Sequence, residues 1–219
     1  TMKWWNDLWL NESFATWSSA QAQTEVSEYT TAWVTFAHVE KAWAYAQDQL
    51  SSTHPISTDA SDIETVDQNF DGITYAKGAS VLKQLAAYVG LDEFFAGVRL
   101  HFQRHQYDNA TFDDLLDALE ESSGRDLSQW ADQWLKTTGV NTLSVDAHTK
   151  DGVYASVAVK QSGAQPGEGE HRDHRIGVGV YSLKDGEVVR TAHTELDIHG
   201  ESTEVPELVG TPVGDLILP

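Results

Sequence analysis

The sequence predicts an α+β protein, a long helical part followed by a shorter part built from strands. Three observations carry this. Apolar residues recur at helical spacing from about Asp7 to Thr138, and the period drops to two after Gly139. An apolar share of 40%, with 8 Trp, 7 Tyr and 7 Phe in 219 residues, is ample for real cores in both parts.

Leu10, Phe14 and Trp17 mark a first helical segment, and Trp33, Phe36, Ala37, Glu40, Trp43 and Ala44 a second. Residues 51–62, rich in Ser, Thr and Asp and holding Pro55, break the pattern and read as a loop. Val81, Leu82, Leu85, Ala86 and Val89 define a third segment, with Gly90 at its C-cap and Asp92 placed to cap the next helix. Thr111 with Asp114 reads as a capping box ahead of Leu115, Leu116 and Leu119. Beyond Gly139, Val153, Ala155, Val157 and Val159 alternate with Tyr154, Ser156 and Ala158, and Ile176, Val178 and Val180 with Gly177, Gly179 and Tyr181. Asp185-Gly186 favours a type I′ hairpin turn, residues 163–173 read as a Gly-, Pro- and charge-rich excursion, and Leu216-Ile217-Leu218 as a last strand.

A formal charge of −20 repels nucleic acid and anionic lipid, and its plain meaning is a solvated acidic surface. No apolar run approaches the ~20 residues that cross a bilayer. The absence of cysteine removes disulfides, thiolate nucleophiles and Cys-based zinc sites, and favours the cytoplasm. Neither a nucleic-acid partner nor a membrane is expected.

Two stretches carry chemistry. In Trp4-Trp5-Asn6-Asp7-Leu8-Trp9-Leu10-Asn11-Glu12-Ser13-Phe14, one carboxylate, Glu12, stands in a frame of four aromatic side chains. On helical phase alone Glu12 can be the exposed edge of an amphipathic helix, whereas a carboxylate held in low dielectric favours a cation. Zinc in hydrolytic sites commonly takes two His and one Glu plus a water. The second stretch is Asp71-Gly72-Ile73-Thr74-Tyr75-Ala76-Lys77-Gly78, a tyrosine ahead of Lys-Gly at the start of a small-apolar run. Taken alone, Tyr75 reads as packing and Lys77 as a lysine snorkelling off a helix start. Asp67 and Asp71 are either acceptors behind the site or solvated turn carboxylates. His101 and His105 have the i, i+4 spacing of a zinc pair, yet Phe102 stands where a general-base glutamate belongs, so both are expected to be exposed near a helix C-terminus, where protonation is mildly favoured. His171 and His174 fall in a charged hairpin loop.

In this order the two motifs resemble the M1 family of zinc aminopeptidases, and Arg172 to Tyr181 look like its actinobacterial aminopeptidase N branch. The resemblance spans essentially the whole chain. Residues 1–138 look like the C-terminal helical part of a thermolysin-like catalytic domain, and 139–219 like the small β-sandwich domain that follows it. It implies that Glu12 is the third zinc ligand, that Tyr75 donates a hydrogen bond to the oxyanion, and that Gly78 permits close helix packing beside it. In this family the ligand glutamate follows a His-Glu-x-x-His helix, and the chain has no His-Glu pair. The sequence therefore looks like a piece of a larger enzyme, beginning after that segment and inactive alone, with one zinc ion in the intact parent and none expected in the piece. The implied activity is removal of N-terminal residues from peptides with a free N-terminus, by a monomer. An epoxide-hydrolase-type relative shares the tyrosine motif, but the strands after Gly139 favour the aminopeptidase. A non-catalytic α+β interaction module is the reading from a different class.

Overall fold

The chain is an α+β protein whose structure, a computed structural model, describes residues 1–58 and 60–219. It divides into two compact units, Thr1–Val140 with Gln165–Glu168, and Asn141–Ala164 with Gly169–Pro219.

The first unit is helical: α1 (Leu8–Val26), α2 (Ala32–His38), α3 (Glu40–Asp48), α4 (Ile63–Gln68), α5 (Gly78–Val89), α6 (Leu91–Arg104), α7 (Phe112–Ser123) and α8 (Ser128–Leu135). The stretch from Trp33 to Ala44 is two helices rather than one, because the backbone breaks at Val39 (φ −103°, ψ −67°). Loop 51–62 holds no helix or strand among its described residues, and Asp59 lies outside them. The side chain of Asp62 then caps α4 by accepting from the Thr65 amide at 2.8 Å. Gly90, with φ +98°, ends α5 and itself stands at the N-cap of α6, so Asp92 falls inside the first turn instead of capping it. The Thr111–Asp114 capping box is formed in full, and Gly124 closes α7 in the left-handed conformation.

α5 is the buried spine of this unit. Ala79, Val81, Leu82 and Leu85 are almost fully enclosed, among Trp9 and Trp17 of α1, Phe94 of α6, Leu119 of α7 and Trp130 of α8. Burial of this apolar set is the main force holding the helices together. Just ahead of α5, Ile73–Lys77 form a single π-helical turn. Such turns concentrate at functional sites because the wider ring frees backbone groups and re-aims side chains.

The second unit carries the strands, β1 (Val140–Lys150), β2 (Val153–Gln165), β3 (His174–Lys184), β4 (Glu187–Ile198), β5 (Ser202–Glu204) and β6 (Leu216–Leu218), of which only the end residues Val140 and Gln165 are counted with the first. They form two three-stranded sheets, in the orders β1-β2-β5 and β4-β3-β6. Tyr154, Val157 and Val159 of one sheet meet Val178, Val180 and Ile198 of the other in a shared core, the arrangement of a small sandwich. The β3–β4 hairpin turns on Asp185 and Gly186, with φ +53° and +85°, as type I′ geometry requires. The alternation expected of β2 is broken at its start: Tyr154 is buried and Ala155 exposed, because Tyr154 exchanges backbone hydrogen bonds with Thr211 and Gly210. β2 also continues to Gln165, further than the glycine at 163 suggested.

Candidate active site

Two elements bring the site residues together, α1 with Glu12 and the π-helical turn with Tyr75. Ser13, fully buried, donates from Oγ to the Thr74 carbonyl at 2.6 Å. Gly78 lies against the same serine, and a Cβ there would stand 1.9 Å from Ser13 Oγ, so only glycine lets the turn come this close to α1. The close approach that Gly78 permits is thus to α1.

With the backbones locked in this way, Tyr75 is brought beside the Glu12 carboxylate. Burial first, then the neighbouring Glu12 carboxylate, push the phenol above its ordinary 10.0. Tyr75 therefore keeps its proton at neutral pH and remains a donor. Both residues are half-buried and line an open cleft of about 570 Å³, whose walls include Thr16 and Ser19 of α1 and Thr35 and Phe36 of α2.

The turn is held from behind by charged groups. Asp71 is no solvated carboxylate: Oδ1 accepts from the Ile73 and Thr74 amides at 2.9 and 3.1 Å, and Oδ2 faces His54 Nε2 at 2.8 Å and also takes the side-chain amide of Gln47. Asp67 is exposed. Lys77 does not snorkel to solvent; it is buried and its ammonium lies 2.8 Å from Asp48, which is 1% exposed. A buried lysine needs such a partner, because an uncompensated charge in the interior is prohibitively costly.

Two other expectations change. The aromatic frame of Glu12 is only partial, since Trp4 and Trp5 are exposed and Trp9 turns into the core against Phe112. His101 is buried rather than exposed, and burial lowers its pKa, so the neutral imidazole is favoured there. α6 presents it inward because the helix packs along α7, with the ring near Asp114.

Among the described residues, no group of three His, Cys, Asp or Glu could hold a metal ion. What the chain offers is one carboxylate, facing a proton-bearing phenol across a cleft. That donor suits the carboxylate corner of a two-histidine, one-glutamate zinc site and fits no more than that corner.

The profile of the Peptidase family M1 domain matches residues 1–134, a stretch that includes both Glu12 and Tyr75. The chain belongs to peptidase family M1. Among proteins to which this M1 chain is similar, "Aminopeptidase N" of Streptomyces lividans is 54% identical over 96% of the chain and 26% of that relative. "Probable aminopeptidase 2" of Sulfurisphaera tokodaii is 39% identical over 68% of the chain and 19% of its own length. "Tricorn protease-interacting factor F2" of Thermoplasma acidophilum is 41% identical over 66% of the chain and 18% of its own length. The chain thus spans about a quarter or less of these relatives, and the Streptomyces match extends over the strand unit as well.

Sequence reading of this M1 chain missed Gln47, Asp48 and His54. They reach the tyrosine turn from 17 to 29 positions away, across a loop without periodicity, so no local pattern marks them. The usable signal was chemical: Asp71 and Lys77 flank Tyr75 inside an apolar run, and charges in that position need partners.

Proposed function

We propose that this chain is part of a zinc-dependent aminopeptidase that removes N-terminal residues from peptides with a free N-terminus, and that Glu12 and Tyr75 are its contributions to the active centre. The observation that carries this reading is Tyr75 beside the Glu12 carboxylate in one cleft, within the stretch matched by the M1 profile. Membership of family M1 and the printed names of the aminopeptidase relatives support the reaction class.

In this proposal Glu12 is the anionic zinc ligand, while two histidines and the general base come from a His-Glu-x-x-His segment of the intact parent. Bound zinc would polarise the scissile carbonyl and activate a water. Tyr75, protonated and anchored through the π-helical turn, donates its hydroxyl hydrogen to the oxygen that becomes negative as the carbonyl turns tetrahedral. A donor fixed in place before reaction costs no reorganisation at that moment, which is why such groups carry much of the rate enhancement. With one ligand and no base, the isolated chain is proposed to be inactive. Freedom from cysteine supports a cytoplasmic setting.

The test is metal content in the full-length parent. Glu12→Gln replaces an anionic ligand with a neutral one and should lower zinc affinity strongly, whereas the double variant His101→Ala, His105→Ala should keep its zinc. The reverse pattern would overturn the ligand assignment.

A further inference from the structure

His54 has no part in the chemistry above, yet its ring is placed where a charge is needed. Nδ1 lies 2.7 Å from the Pro55 carbonyl oxygen and Nε2 lies 2.8 Å from Asp71 Oδ2. A carbonyl and a carboxylate can only accept, so both nitrogens must donate, and an imidazole that donates from both nitrogens is the cation. Asp71 in turn controls the tyrosine turn almost completely. The Ile73 and Thr74 amides bond to its Oδ1, the Tyr75 amide bonds to its backbone oxygen at 3.0 Å, and the Gly72 amide bonds at 2.7 Å to Gln47 Oε1, whose own amide nitrogen returns to Asp71. Each backbone amide from Gly72 to Tyr75 therefore ends on Asp71 or on a residue that Asp71 holds.

We propose that His54, as an imidazolium clamped between Asp71 and the Pro55 carbonyl, is a positioning residue for Tyr75, and that its deprotonation loosens the tyrosine turn. This rests on the reading of Tyr75 as the oxyanion donor. The charged groups that face the ring are Asp71, which favours the cation, and Lys77, which opposes it and is itself neutralised by Asp48 at 2.8 Å. The hydrogen bond to Asp71 outweighs burial and holds the imidazole above its ordinary 6.5, in the direction the two acceptors require. On losing the proton, the ring must turn a lone pair toward either the carbonyl or the carboxylate. One of the two contacts then becomes repulsive, and Asp71 is free to release the amides of the turn.

The consequence can be read without altering His54. In the full-length enzyme loaded with zinc, the ratio of kcat for the unmodified protein to kcat for Tyr75→Phe measures what the tyrosine hydroxyl contributes. That ratio should fall about tenfold as pH rises from below 6.5 through the folded value of His54. His54→Gln, which keeps a single donor, should lower kcat about tenfold with KM and zinc content unchanged and should make the ratio independent of pH. The double variant His54→Gln, Tyr75→Phe should be no slower than Tyr75→Phe alone, because a residue that acts through the tyrosine has no effect once the hydroxyl is gone. A pH-independent ratio in the unmodified enzyme, or additive losses in the double variant, overturns the role of His54. If Tyr75→Phe by itself leaves kcat unchanged, the reading of Tyr75 fails, and the role of His54 fails with it.

Discussion

The hydroxyl of Ser13 and the carbonyl of Thr74 are joined by a buried 2.6 Å hydrogen bond, one residue along the chain from Glu12 on one side and from Tyr75 on the other. The site is therefore set by a contact between neighbours of the functional residues, and Gly78 makes room for it.

Ser13→Ala in the full-length protein should cost about 1–3 kcal/mol, since the Thr74 carbonyl would be left buried without its donor. Gly78→Ala alone should cost about as much or more, because the new methyl group would lie 1.9 Å from Ser13 Oγ. With both changes the nearest Ser13-derived atom is the Cβ, at 3.1 Å, so the double variant should be less destabilised than the sum of the two. Urea denaturation of the four proteins checks this, and strict additivity would show that the two positions do not press on one another.

Lys77→Met removes the partner of a carboxylate that is 1% exposed, and should destabilise the helical unit by about 3–5 kcal/mol. Asp48 also accepts from Thr53 Oγ1 at 2.7 Å and from the Gly139 amide at 2.9 Å. Both bonds end on Oδ1, which an asparagine keeps, so Asp48→Asn added to Lys77→Met should recover much of the loss. Thermal unfolding would read both changes, and equal midpoints for Lys77→Met and the unmodified protein would mean that the ammonium is dispensable.

Stability should depend on pH through the His54–Asp71 pair in a defined window. His54 is held above 6.5 in the fold, so its contribution is complete below 6.5 and fades as pH rises through the folded value. Burial raises the Asp71 carboxyl, but the hydrogen bond from His54 and the Thr74 and Ile73 amides leave it below 3.8, so its contribution is complete above 3.8 and fades as pH falls through the folded value. The difference in unfolding midpoint between the unmodified protein and His54→Gln should be largest between those limits and shrink on the alkaline side. In the strand unit His174 acts in the opposite sense. Burial and then Arg172 lower it to about 4, so stability is lost as pH falls from 6.5 toward that value.

The fold class was legible because period and punctuation agree along the chain. Leu82 and Leu85, the Thr111–Asp114 box and the Asp185-Gly186 turn all stand where the pattern put them. Positions decided by tertiary contacts were not legible. The inward turn of Tyr154 and the burial of His101 depend on neighbours remote in sequence. In the candidate site, Glu12 and Tyr75 stood out by motif, whereas their spacing depends on Ser13, Asp71 and His54, whose roles exist only once the helices are packed.

The most direct measurement is the turnover of Tyr75→Phe in the full-length, zinc-loaded enzyme. The substitution deletes one hydroxyl and keeps the ring that packs near Phe70, so zinc content and thermal stability should scarcely change. Loss of one oxyanion donor should lower kcat by ~10²- to 10³-fold, about 3 to 4 kcal/mol, with little effect on KM. Near-normal turnover would make Tyr75 a packing residue, and loss of zinc or of the fold would make it a structural one; either result contradicts the catalytic role proposed for it.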